Sequence, residues 1–560
     1  MVALNVSLVQ TNPVLGDLVG NAAQILDAVR ASAAAGARLV ATGEMAMTGY
    51  PIEDLAAEPA FLQAADEAVA ALAARLEEEG LGELLVVVGH PSGPHGRDGR
   101  NARGAIAENR ASVLHRGRVV AHAVKHHLPN YGVFDEYRVF LPGERLLTID
   151  VPAEDGGNAR VGVIICEDLW LDEGPVAEAA TAGIDLLLVV NASPFERGKD
   201  GARLPLARRR AAEIGVPVAY VNLVGGQDDL VFDGGSFVVA PDGALLARAP
   251  QFVPHVLSAS IPLGESDRGS DAEGDADGDS DELAEVWGAL VLGLRDYVEK
   301  NGFGSVVLGL SGGIDSAVCA AIAADAIGGD RVHGVSMPSR WSSEHSRSDA
   351  EDLAERLGLH YSTEPIADLV RPFDAQLGLE GVAAENVQAR VRGVILMAKS
   401  NQAGHLVLTT GNKTELSVGY STIYGDSVGG FAPIKDVPKT LVWALARWRN
   451  AAATARDEMP PIPESSITKP PSAELRPGQV DQDSLPPYEL LDAILECYVD
   501  RRLGREGTIA AGFDPATVER VAGLVDRAEW KRRQGAIGPK ISGMAFGRDR
   551  RLPITVRRAV

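Results

Sequence analysis

Short runs of consecutive apolar residues alternate along the chain with longer stretches in which apolar residues recur every three or four positions. This is the pattern of strands interleaved with helices. In the first half LNVSLVQ, RLVATGE, LLVVVGH, GRVVAHAVK, VGVIICED, IDLLLVVNAS, PVAYVNLVG and SFVVAPDG predict strands, and helices are expected from Asp17 to Ala35 and after Pro59. So many strands require a sizeable sheet system covered by helices, of α/β or α+β class. The second half opens with a helix at Leu283, LAEVWGALVLGLRDYVEKNGF, which Asn301-Gly302 stops. An apolar run at Val306 to Leu310, RVHGVSMP and HYSTEPI then alternate with helical segments, which predicts a doubly wound parallel sheet with ligand at the carboxyl ends of its strands. ENVQARVRGVILMAKSNQAG reads as an amphipathic helix with Asn386 and Arg390 on one face. No internal repeat is visible, and the two halves do not resemble each other.

Between the halves lies ESDRGSDAEGDADGDSDE, Glu265 to Glu282, acidic and nearly free of apolar side chains. Such a segment cannot bury enough surface to offset its ordering entropy, so residues 265–282 are expected to be a linker between domains 1–264 and 283–560. Its Asp-Gly content lacks the spacing of a calcium loop. With 46% hydrophobic residues both domains can form cores, and a formal charge of −24 excludes general affinity for nucleic acid or anionic membranes. Cys166, Cys319 and Cys497 are too scattered for a disulfide framework or a zinc pattern, and no apolar stretch of about eighteen residues occurs. A cytoplasmic protein is expected.

The segment Ser305 to Ala320, SVVLGLSGGIDSAVCA, is the strongest candidate for chemistry. Strand, tight loop and Ala-rich helix in succession aim free backbone N–H groups off a helix N-terminus, a cradle for phosphate. Gly312 and Gly313 let the backbone approach an anion, Ser311 and Ser316 can donate hydroxyls, and Asp315 offers a hard oxygen to Mg²⁺. A Gly-Gly pair by itself is more often a plain turn; the whole hexapeptide SGGIDS in this context reverses that preference. It lacks the Gly-Lys-Ser/Thr ending of the Walker loop, so a lysine must come from elsewhere. SGGIDS resembles the pyrophosphate-binding loop of the ATP pyrophosphatases, which form acyl-adenylates that ammonia attacks.

Glu44, Lys125 and Cys166 each stand just past a predicted strand. Singly, each has a bland reading: a solvated loop acid, a surface lysine, a buried structural thiol. As a set, TGEMAMTGYPIEDL, KHHLPNYGVFDEYRVF, VGVIICEDLW and NASPFERGK resemble the nitrilase-type glutaminase domain over about the first 260 residues. The resemblance implies an α-β-β-α sandwich, Glu44 as general base, Lys125 as oxyanion-stabilising cation and Cys166 as nucleophile. It places the glutamine contacts on Tyr131, Ser193 and Lys199. One departure is Gly43 where a proline usually precedes the glutamate, which predicts a less rigid backbone at Glu44.

In GNKTELSVGYSTIYGDSVGGFAPIKDVPKT, Glu415 and Asp426 are hard oxygen donors and Lys439 can supply the missing phosphate charge, although any one of them alone reads as a solvated loop charge. With SGGIDS, ENVQAR, PPSAELRPGQVDQDSLPPYELLD and KRRQGAIGPK they resemble the bacterial NAD synthetase family from Leu283 to the C-terminus. That resemblance implies ATP contacts at Gly309, Leu310, Ser311, Gly312, Gly313, Ile314, Asp315, Ser316, Thr410 and Lys439. It implies deamido-NAD contacts at Asn386, Glu415 and Lys531, Mg²⁺ as cofactor on Asp315 and Glu415, and a homo-oligomer. Joined, the two resemblances imply a synthetase that takes ammonia from glutamine, with ATP and deamido-NAD as its other substrates. Other amidotransferases of the same ATP-loop class carry different glutaminases, so Glu44, Lys125 and Cys166 discriminate against them.

Overall fold

A computed structural model of the chain describes residues 2–93, 106–153, 156–264 and 281–556. These divide into two units, Met1–Gln227 with Val231–Ser280 and Asp228–Leu230 with Asp281–Val560. The first unit holds β1 (Val2–Gln10), β2 (Leu39–Thr42), β3 (Leu85–Ser92), β4 (Ala107–His115), β5 (Arg118–Val124) and β6 (Phe140–Leu141). These are followed by β7 (Leu147–Pro152), β8 (Asn158–Ile165), β9 (Leu186–Asn191), β10 (Val218–Asn222) and the ribbon of β11 (Val224–Gln227) with β12 (Leu230–Asp233). β13 (Phe237–Val239), β14 (Leu245–Arg248) and β15 (His255–Leu263) complete the set. One sheet runs β15-β1-β2-β3-β4-β5, with β6 beside β4; the other runs β14-β13-β10-β9-β8-β7.

Side-chain alternation explains why these runs are apolar throughout. Val161, Val163 and Ile165 of β8 and Leu186, Leu188 and Val190 of β9 share one core with Leu4, Val6 and Leu8 of β1, between the sheets. The intervening Ile164, Leu187 and Val189 face the other way and pack with Leu204, Ala207 and Ala211 of the helix Asp200–Ile214. A strand buried on both faces has no polar positions to alternate. Helices Leu18–Ala34 and Pro59–Glu78 lie against β1–β3, giving the expected α-β-β-α layering. Asp17 caps the first of them, its carboxylate accepting from the Gly20 N–H at 2.9 Å.

In the second unit β16 (Val306–Gly309), β17 (Val332–Ser336), β18 (His360–Thr363) and β19 (Leu406–Leu408) form a parallel sheet ordered β18-β17-β16-β19. The strand order reverses at β16, the point where a doubly wound sheet opens a crevice beyond its strand ends. Helices Glu282–Lys300 and Ile314–Ile327 pack together, and Val307, Val335 and Val407 bury the other side of the sheet with Val370, Val391 and Leu396. The linker reading needs correction at its end: Asp281 accepts from the Leu283 and Ala284 N–H groups, so Asp281 and Glu282 begin a helix. Residues 265–280 lie outside the described residues. Among the described residues no helix is long and apolar enough to cross a membrane.

Candidate functional site

In the first unit three strand ends deliver three reactive side chains. Glu44 follows β2, Lys125 follows β5 and Cys166 follows β8, and all three side chains are buried. One Glu44 oxygen accepts from Asn109 Nδ2 at 2.6 Å and Lys125 Nζ at 2.8 Å, and the other from the Ala192 N–H at 2.9 Å. The Glu44 N–H donates to the Asn191 carbonyl at 3.1 Å. The expected looseness at Gly43 is therefore absent. A Cβ there would sit 2.6 Å from Leu223 Cδ2 and 2.9 Å from the Asn191 oxygen, so close packing demands glycine and fixes the backbone.

Lys125 Nζ also donates to Glu136 at 2.8 Å, and the Tyr50 hydroxyl donates to the same carboxylate at 2.8 Å. Burial works against the lysine's charge, but Glu136, Glu44 and the nearby thiol outweigh it and hold its pKa above the ordinary value. Glu136 is pushed up to about 7, by burial first, against the pull of Lys125 and with repulsion from Glu44. Sequence reasoning missed Glu136. It sits beside Asp135 at the start of the one-turn helix Glu136–Val139, where an acidic pair reads as solvated, and its only signal was its place inside KHHLPNYGVFDEYRVF.

Cys166 has φ +48, a left-handed conformation that a side chain seldom adopts. It opens the short turn Cys166–Leu169, and Asp168 fastens that turn by accepting from the backbone N–H groups of Ile165, His126 and His127 at 3.2, 3.1 and 2.8 Å. One carboxylate thus ties the strand that ends at Cys166 to the segment that carries Lys125. Burial and then Glu44 raise the thiol pKa well above its ordinary value, while Lys125 opposes them, so the resting group is a thiol that feels both a carboxylate and a cation. Of the expected glutamine contacts, the exposed Tyr131 donates to Glu167, the residue after Cys166, at 2.9 Å. Ser193 Oγ accepts from Arg203 Nε at 3.2 Å and directly follows the residue whose N–H holds Glu44. Lys199 Nζ donates to the Pro194 carbonyl at 3.1 Å on its own segment.

The second unit contains a cavity of about 730 Å³ beside the end of β16. Its walls include Gly309, Leu310, Ser311, Gly313, Ile314, Asp315, Ser316, Asn386, Thr410, Glu415, Lys439 and Lys531. Gly312 stands behind the wall with φ +76; a Cβ on it would lie 2.3 Å from the Ser346 oxygen. Inside the loop the Gly313 N–H donates to Ser311 Oγ at 3.2 Å and Ser316 Oγ donates to the Gly313 carbonyl at 3.0 Å. Asp315 accepts from Asn412 Nδ2 at 2.9 Å and from Lys439 Nζ, which also lies 3.6 Å from Glu415. Lys439, expected to meet phosphate, here bridges two carboxylates.

Asn412 organises this corner. It caps the helix Lys413–Val418 by accepting the Glu415 N–H at 2.9 Å, while its own N–H donates to the Glu415 carboxylate at 3.3 Å. Burial, then the Asp315 charge, pushes Glu415 up to about 8. Among the described residues no cluster of three or more metal-type ligands occurs. Two hard carboxylates still suit Mg²⁺, which uses one or two of them with water and phosphate oxygens, so the residues fit that ion. Asn386 Oδ1 accepts from the Thr422 hydroxyl at 2.7 Å, and Asp426 accepts the Thr422 N–H at 2.6 Å. Lys531 Nζ donates to the Gly419 and Ser421 carbonyls, both at 2.7 Å, and burial lowers its pKa.

Comparison with known proteins assigns both halves. The carbon-nitrogen hydrolase family matches residues 5–268 and the NAD synthase family residues 286–535. The chain is 46% identical over 565 residues to a glutamine-dependent NAD(+) synthetase of Rhodobacter capsulatus, covering 99% of this chain and 98% of that one. It is 42% identical to the enzyme of that name from Aquifex aeolicus, over 99% of both chains. A solved structure of the glutamine-dependent NAD+ synthetase from Acinetobacter baumannii, in complex with ADP, is 39% identical and matches 99% of this chain and 98% of that one with a TM-score of 0.73. Two families in this order, and full-length relatives at this identity, show that the chain belongs to the glutamine-dependent NAD(+) synthetases.

Proposed function

We propose that the first unit hydrolyses glutamine to glutamate and ammonia, and that the second uses the ammonia with ATP to convert deamido-NAD into NAD, AMP and pyrophosphate. The observation that carries this reading is the buried Glu44–Lys125–Glu136 array beside a thiol held at φ +48. As Cys166 Sγ attacks the glutamine carboxamide, Glu44 takes the thiol proton and then gives it to the departing ammonia, leaving a thioester. Lys125 faces the oxyanion of the tetrahedral intermediate. Glu44 next takes a proton from water, which attacks the thioester carbonyl; the C–S bond breaks, glutamate leaves and Glu44 returns the proton to Cys166 Sγ. Tyr131, Ser193 and Lys199 contact the glutamine.

In the second unit the carboxylate of deamido-NAD attacks the α-phosphorus of ATP and pyrophosphate leaves; ammonia then adds to the acyl carbon, AMP departs and a proton is lost. Gly309 to Ser316, Thr410 and Lys439 contact ATP, and Asn386, Glu415 and Lys531 contact deamido-NAD. Asp315 and Glu415 would hold Mg²⁺, which when bound offsets charge developing on the phosphate oxygens. Because ammonium is not nucleophilic, the reading includes a sheltered passage for ammonia between the sites. It also takes residues 1–264 and the segment from Asp281 onward as the two domains, places the enzyme in the cytoplasm and makes it a homo-oligomer. Exposed Leu369, Phe373 and Leu377 on the helix Ala367–Leu377, with Val382, Val394 and Met397 on the helix Val382–Ala403, support the oligomer. The test is NAD formation from deamido-NAD, ATP and Mg²⁺ with glutamine or ammonium as donor. NAD with both is expected; none with either would overturn the reading.

A further inference from the structure

The segment from Lys469 to Asp481 lines the cavity and closes on itself. The Asp481 N–H donates to the Pro471 carbonyl at 3.1 Å and the Ser472 hydroxyl to the Gln479 carbonyl at 2.6 Å, a neck that makes the loop a compact body. Glu474 fastens this loop to the N-terminus of the helix Glu344–Leu357. Its carboxylate accepts from Lys469 Nζ at 2.8 Å, Ser346 Oγ at 2.8 Å, and the hydroxyl and N–H of Ser343 at 3.0 and 3.3 Å. Lys469 Nζ in turn contacts both serine hydroxyls, so its three protons are all engaged. Glu474 adopts φ +47 to do this, a conformation unfavourable for a residue with a side chain. Burial would raise its pKa, but Lys469 and the hydroxyls outweigh burial and keep the carboxyl below its usual range.

The pin adjoins the phosphate loop. Ser346, whose hydroxyl donates to Glu474, packs its backbone against Gly312, and Ser466, three residues before Lys469, donates to the Gly312 carbonyl at 3.1 Å. We propose that Glu474 is a positioning residue: acting through Lys469, Ser343 and Ser346, it pins the loop 471–481 shut as the wall of the ATP site. This rests on the assignment of that cavity to ATP. If the closed loop is the form that binds ATP, opening it multiplies apparent affinity by the closed fraction, and so lowers it, whereas saturating ATP restores closure.

Glu474→Ala is therefore expected to raise KM for ATP about tenfold, the scale of a lost charge-assisted hydrogen bond, with kcat nearly unchanged. Ammonium is the nitrogen donor in this assay, so the glutaminase site plays no part. Lys469→Ala combined with Glu474→Ala should cost no more than Glu474→Ala alone, because both break one pin. An unchanged KM, a reduced kcat at unchanged KM, or additive effects would overturn the pin. A second readout needs no substrate: backbone amide hydrogen exchange across residues 472–480 should be faster in Glu474→Ala than in wild type, and equal rates would overturn the proposal. Faster exchange in a protein that makes no NAD would leave the pin standing and remove the ATP assignment instead.

Discussion

Lys125 stands between two buried carboxylates, so the site holds one positive and two potential negative charges out of water. Removing one member of such a buried set costs about 3–5 kcal/mol, because the remaining charge loses its compensation. The carboxyl that yields is Glu136, raised to about 7. Between about 4.5, its ordinary value, and 7 the folded protein keeps a proton there that the unfolded chain has lost. Its contribution to stability therefore falls as pH rises through that window and is level above it. Glu136→Gln removes this ionisation, so the stability of the variant relative to wild type should rise from pH 4.5 to 7 and then stay constant. Urea unfolding across that range reads it, and a pH-independent difference would contradict the assignment.

Among the elements, the turn after β16 carries the tightest constraint. Gly312 combines φ +76 with a Cβ position 2.3 Å from the Ser346 oxygen, so Gly312→Ala must both strain the backbone and push the helix Glu344–Leu357 away. Left-handed strain alone costs of order 1–3 kcal/mol. NAD synthesis should fall at least tenfold with glutamine and ammonium alike while glutamine hydrolysis persists; unimpaired synthesis would show that the turn is not the phosphate cradle. Elements of this kind are legible in a sequence because strand, loop and helix are local. The apolar runs of β8 and β9 likewise announced strands, and Glu44, Lys125 and Cys166 could be read because each stands just past an apolar run. Glu136 could not, since only the fold brings it to Lys125. The same holds for Glu474, whose partners Ser343 and Ser346 are 131 and 128 residues away. Lys439 stands out in the sequence only as a charge, because its place between Asp315 and Glu415 depends on three separate segments meeting.

At the scale of the whole molecule, the chain carries two chemistries that share only ammonia. Cys166 and the loop from Gly309 to Ser316 belong to different units, so synthesis from ammonium should report on the second unit alone, whereas synthesis from glutamine needs both. Replacing Cys166 by alanine removes the nucleophile and leaves the loop from Gly309 to Ser316 untouched. The direct measurement is the rate of NAD formation by Cys166→Ala with glutamine and, separately, with ammonium. Glutamine-supported synthesis should vanish, by a factor of about 10³ or more, while ammonium-supported synthesis stays close to wild type. Equal loss with both donors would contradict the two-site account.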